Sequence, residues 1–173
     1  MGTSSGPSPQ SAGRRIAAVM VLCMAMSGCA AEAAETVANA ATASGAVQQL
    51  TAFDWQLLAS YDAGGNEQSN WLSAGTGTVK LSFSTDGVLS ADQGCTIIGG
   101  NYTITGSHGL AFQGYSIAGA ICTIEQKWRI DRLIASLMQV QRYRFVPRKG
   151  QARPRLQLGF ADGSRWELVP FVK

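Results

Sequence analysis

Residues 94–122 read GCTIIGGNYTITGSHGLAFQGYSIAGAIC. Cys95 stands at its start after Gly94 and Cys122 closes it, and short β-like runs lie between. Tyr102 to Ile104 and Leu110 to Phe112 flank Gly106-Ser107-His108-Gly109, the pattern of a β-hairpin. Four cysteines occur, Cys23, Cys29, Cys95 and Cys122. Cys95 and Cys122 are the pair inside the expected folded domain. In an oxidising compartment two thiols in one small domain are expected to bridge. The alternative is two buried thiols packing as small hydrophobes. Metal binding is not expected, because there is no CxxC and His108 is the one histidine.

Downstream the rhythm changes. Thr123-Ile124-Glu125-Gln126 fits a capping box, with Thr123 as N-cap. Ile130, Leu133, Ile134, Leu137 and Met138 then follow helical spacing, which predicts one amphipathic helix over about 124–139. Trp128 lies off that stripe. Val140 to Val146, Leu156 to Phe160 and Trp166 to Val169 return to strand character, with a turn at Asp162-Gly163. Upstream, Phe53 to Leu57 and Val79 to Phe83 alternate apolar and polar, and Asp86-Gly87 turns the second run into Val88-Leu89. Between them Asp62 to Gly77 reads as a Gly-rich loop carrying Trp71. Eight or so short strands and one helix predict a mainly β, α+β domain over 51–173. Its natural solution is a curved antiparallel sheet or barrel with the helix packed on it.

The N-terminal part reads as an export signal. Residues 1–13 are rich in Ser, Gly and Pro and are expected to be disordered. Arg14 and Arg15 precede an apolar run, Ile16 to Met26, too short to span a membrane comfortably. Met26-Ser27-Gly28-Cys29 resembles a bacterial lipobox, which implies a signal over 1–28 and acylation of Cys29. Several acyl chains hold a protein on a bilayer. In such signals an Asp after the cysteine retains the protein at the inner membrane. Here Ala30 follows, so the outer membrane, facing the periplasm, is expected. Secretion and inner-membrane anchoring are the alternatives. Residues 29–50 read as the lipidated N-terminus and a flexible Ala-rich tether.

A family resemblance rests on residues across the domain. Trp55-x-Leu57, Gly94-Cys95 followed by Gly100-Asn101-Tyr102, Cys122, Glu125 and a terminal strand pair are similar to the META domain. The likeness covers about Phe53 to Val172. It implies a β-rich domain with a helix, a place in the bacterial envelope and a link to stress tolerance. It implies no defined catalytic activity.

The residues themselves point the same way. HExxH and SxxK are absent from the sequence, and GxSxG is absent from the expected domain, 51–173. His108 reads as a solvated turn residue, Glu125 as a helix-cap charge, and Asn101-Tyr102-Thr103 as strand. Neither an enzymatic role nor a cofactor is expected. Charge is unevenly spread. Ala30 to Gln126 holds one lysine against eight acids (−7), and Lys127 to Lys173 holds eleven basic residues against three acids (+8). Such asymmetry suits an anionic envelope component or a protein partner. Nucleic acid is not expected in an exported chain, and a monomer is. Strand alternation places Tyr143, Phe145, Leu156, Leu158, Phe160, Trp166 and Leu168 inward. Arg142, Arg144, Arg155 and Arg165 then share an outer face. That face is either a solvated surface that discourages edge pairing or a site for anions.

The sequence therefore predicts a non-enzymatic outer-membrane lipoprotein supporting envelope integrity or stress tolerance. A periplasmic binding module, either an enzyme inhibitor or a small-ligand carrier, is the alternative. Cys29→Ser is expected to abolish acyl labelling and to block normal maturation. Wild-type protein recovered soluble and unlabelled would overturn the lipobox reading.

Overall fold

A computed structural model describes residues 43–68, 78–119 and 122–171. The signal segment, Cys29 and the loop around Trp71 lie outside the described residues. All described residues fall in one unit, Thr42–Lys173. A helix, α1, covers residues 43–51. It is followed by β1 (Asp54–Tyr61), β2 (Lys80–Phe83), β3 (Val88–Asp92), β4 (Thr96–Thr105) and β5 (Gly109–Gly119). Helix α2 (Ile124–Leu137) precedes β6 (Val140–Arg148), β7 (Gln151–Phe160) and β8 (Arg165–Phe171).

The strands form one closed antiparallel barrel in sequence order. Seven seams join consecutive strands. The eighth pairs β1 with β8, from Asp54↔Phe171 to Tyr61↔Arg165. The seams differ in strength. The β4–β5 ladder runs from Thr105↔Gly109 to Thr96↔Gly119, with an irregularity near Gly100. The β5–β6 seam has the single register pair Gly109↔Arg142, beside which the Tyr143 N–H donates to the His108 carbonyl at 2.9 Å.

Period-two alternation fills the barrel. Trp55, Leu57, Leu81, Leu89, Ile98, Tyr102, Leu110, Phe112, Leu156, Leu158, Trp166 and Leu168 are all buried in one cluster. An eight-stranded barrel has an interior just wide enough for such a filling. Gly100 shows how tight it is. A Cβ there would lie 2.3 Å from the Phe112 ring and from the Gly114 carbonyl oxygen, so the ring takes the place of a side chain. The hairpin turns predicted at Asp86-Gly87, Gly106 to Gly109 and Asp162-Gly163 are present, and Gly87, Gly106 and Gly163 hold positive φ.

Helix α2 starts with the predicted capping box. The Thr123 hydroxyl accepts from Gln126 N–H at 3.2 Å, and the Gln126 side chain accepts from Thr123 N–H at 2.8 Å. Ile130, Leu133, Ile134 and Leu137 join the barrel core. The helix ends at Leu137, two residues before the predicted 139, because Val140 already starts β6. Its anchors share one end of the barrel. Cys122 is bridged to Cys95 just before β4, with sulfurs 2.13 Å and Cα atoms 5.8 Å apart. Arg132 donates to the Gln68 side chain past β1 at 2.9 Å, and Ala161 N–H past β7 donates to the Gln139 carbonyl at 3.0 Å. Helix α2 thus lies across the end where β1, β3, β5 and β7 finish.

The tether expected over 29–50 is helical at 43–50. Ala46 and Leu50 share a helix face and are buried in the core, and the Leu50 carbonyl accepts from Trp55 Nε1 at 2.8 Å. A short Ala-rich helix is marginal alone, so packing decides this one. The folded part therefore begins before Thr51.

The Cys95–Cys122 bridge closes a loop of 27 positions. Replacing both with serine is expected to cost about 3–4 kcal/mol, or roughly 10 °C in Tm for a domain of this size. Thermal unfolding with and without reductant checks this. A Tm unmoved by reduction would show that the bridge contributes nothing.

Candidate functional site

The outward side chains of β6, β7 and β8 stand in rows fixed by register. One row is Arg142–Gly159–Arg165, continued by Tyr61 on β1. The next is Arg144–Gln157–Glu167. Strands lie roughly 4.8 Å apart, so the backbones of Arg142 and Arg165 are about 10 Å apart with Gly159 between them. Around this row lies a pocket of about 530 Å³. Arg142, Arg144 and Arg165 line it with Gln157, Ser164 and His108, and Tyr143 and two glycines complete it.

Each lining residue is placed by local rules. Tyr143 is buried as alternation requires, its hydroxyl donates to the Ser107 carbonyl at 3.0 Å, and burial pushes the phenol above its ordinary pKa. His108 sits in the β4–β5 turn with Nδ1 2.8 Å from the Ser107 hydroxyl. Ser164 follows the Asp162-Gly163 turn. Its hydroxyl and its N–H both donate to Asp162, at 2.6 and 2.9 Å. These bonds hold the Asp162 carboxyl below the usual carboxylate range, the hydroxyl contributing most.

The arginines fare differently. Arg144 donates to the Gln157 side-chain oxygen at 2.8 Å. The Arg165 guanidinium stacks 4.0 Å from the centre of the Tyr61 ring, a cation–π contact that leaves its charge intact. The Arg142 side chain lies along Gly159. Among the described residues no carboxylate lies within ion-pair distance of these three. Arg155 is set apart. It donates to Glu167 at 2.8 Å, and its Nε is buried without a partner. The outer face predicted for four arginines is therefore a pocket of three, beside a neutral Arg155–Glu167 pair.

Sequence reading missed Gly159, Gln157 and Ser164 as lining. A glycine inside the strand run Leu158-Gly159-Phe160 is the available signal, since it marks a close approach. A second concavity, about 410 Å³, lies by Ala52, Phe53, Phe145, Pro147 and Pro154. It is apolar and lacks convergent charge. Among the described residues no three His, Cys, Asp or Glu converge as metal ligands.

No family model matches the chain, and no curated protein matches it. Solved structures share its fold. One is an NMR structure of a protein from Burkholderia xenovorans, 20% identical with a TM-score of 0.56, the match covering 75% of this chain and 88% of that one. Another is the crystal structure of a DUF4847 family protein from Bacteroides vulgatus ATCC 8482. It is 12% identical with a TM-score of 0.53, and the match covers 73% of this chain and 99% of that one. At such identities the likeness shows the fold alone.

The Arg155–Glu167 pair is partly buried, so its loss should cost more than an exposed pair and less than a fully buried one. Glu167→Gln is expected to destabilise the domain by about 1–2 kcal/mol, between those limits. Adding Arg155→Gln should recover part of the loss. Chemical denaturation of the two variants decides, and equal stability of Glu167→Gln and wild type would refute the role given to the pair.

Proposed function

We propose that this chain is a non-enzymatic lipoprotein of the bacterial outer membrane, anchored through Cys29. Its META-type barrel binds an anionic component of the envelope and supports envelope integrity or stress tolerance. The observation that carries this reading is the wall pocket, where three arginines converge without a neutralising carboxylate among the described residues. Such a cluster repels itself unless a counter-charge enters. Binding is favoured over catalysis because the polar groups in the pocket are already engaged locally. The Ser164 hydroxyl donates to Asp162 and the Tyr143 hydroxyl to Ser107. The lipid anchor and the family likeness rest on the residues quoted above.

A protein partner is the second reading. Ile124 and Trp128 stand one helical turn apart on α2 and are 80% and 73% exposed. Exposed aromatic anchors are common at protein interfaces.

The full chain carrying Cys29→Ser lacks the acyl chains but keeps the apolar run Ile16 to Met26, so the binding expected to phosphatidylglycerol vesicles at low salt is read as the excess over uncharged phosphatidylcholine vesicles. Binding should weaken steeply as salt rises, because screening acts within about 8 Å at physiological ionic strength. Replacing Arg142, Arg144, Arg155 and Arg165 together with Gln should remove it. Absence of wild-type binding at low salt, or undiminished binding by the quadruple variant, would overturn the anion reading.

A further inference from the structure

We infer that the pocket floor at Gly159 is a seat for a phosphate group, with Arg142 and Arg144 as forks and Arg165 as the third charge. This rests on the anion reading and adds the place and the ligand chemistry.

Gly159 is what makes the seat. It lies between two arginines in one row across three strands. A Cβ there would meet Arg142 Nε at 2.7 Å and Cγ at 2.8 Å. Arg142 can lie along the floor only because the position is empty. On either side of the seat the charges are kept available. Gln157 is a neutral acceptor for Arg144, and Tyr61 supports Arg165 without neutralising it. Glu167, the acidic residue in the neighbouring row, is tied to Arg155. At the rim, Asp162 is occupied by Ser164 of its own turn.

Shape selects the ligand. Two guanidiniums from β6 and one from β8 line the same pocket from opposite sides of β7. A carboxylate is planar and offers one edge to one fork. A phosphate is tetrahedral and offers oxygens to several forks at once. The pocket holds about 530 Å³, which leaves room for the alcohol to which the phosphate is esterified. A soluble phosphate ester and a phospholipid headgroup share this chemistry.

The test uses the full chain carrying Cys29→Ser, with folding of each variant checked by circular dichroism. Two probes are titrated separately, glycerol phosphate in solution and phosphatidylglycerol vesicles, the latter again read as the excess over phosphatidylcholine vesicles. Arg142→Gln and Arg165→Gln should each weaken binding about tenfold, the usual effect of losing a charge-assisted hydrogen bond. Gly159→Ala changes no charge and should weaken binding as well. A variant with Arg148, Lys149 and Arg153 changed to Gln loses three charges at the far end of the β6–β7 hairpin. It should bind nearly as wild type. Binding of glycerol phosphate identifies a soluble ester as sufficient, and binding of vesicles alone identifies the headgroup; either supports the seat. If the hairpin variant loses as much as Arg142→Gln, or Gly159→Ala binds as wild type, the seat is overturned and diffuse attraction to anions remains. If wild type binds neither probe, the seat and the anion reading fall together.

Discussion

The limited room inside an eight-stranded barrel governs the rest of this structure. Trp55 sits fully buried in the core, against Phe53 and Phe145 at centroid distances of 5.7 and 6.0 Å. With the lumen occupied by side chains, successive residues alternate between inside and outside except at the register irregularities near Leu57, Gly100, Val140 and Val146. A slip of one residue would place every arginine of β6 to β8 in the core and every leucine in water. The burial of Tyr143, Leu156, Leu158, Trp166 and Leu168 therefore fixes where Arg142, Arg144, Arg155 and Arg165 can stand. The basic wall follows from packing the core.

Much of this was legible in the sequence. The strands, their turns and the α2 stripe obey local rules: period two, glycine at positive φ and a capping box. Side-chain direction on β6 to β8 followed from the same alternation. Other features depend on what the chain meets elsewhere. Helix α1 forms because Leu50 reaches the core and its carbonyl meets Trp55. No pattern in an Ala-rich segment announces that contact. The separation of Arg155 from the other arginines turns on a diagonal reach to Glu167 across β7 and β8. Alternation gives the face of a residue, and it leaves open which neighbour the side chain touches. Gly159 matters for the space it leaves open, which composition does not record.

The two helices divide their work. Helix α1 leads into β1 at one end of the barrel, and α2 lies across the other, between β5 and β6. That insertion coincides with the thinnest seam, where Gly109↔Arg142 is the sole register pair. Ile130, Leu133, Ile134 and Leu137 of the inserted helix join the same barrel core. The pocket borders the same seam through His108 and Tyr143. Its geometry therefore depends on this seam and on the β6–β8 register.

The closing ladder also bears on how the chain acquires its structure in time. Seven seams join neighbours in sequence and need only short excursions of the chain. The eighth unites Asp54 with Phe171, 117 positions apart. Contacts at such separation form slowly, because chain entropy must be lost before they contribute stability. During synthesis from the N-terminus, β1 emerges early and waits for β8. Until then β1 has one bare edge, with unpaired N–H and C=O groups ready to recruit another strand. Nascent or C-terminally shortened chains are thus the species most exposed to aggregation. Chaperones that cover strand edges would matter most to this protein in that interval.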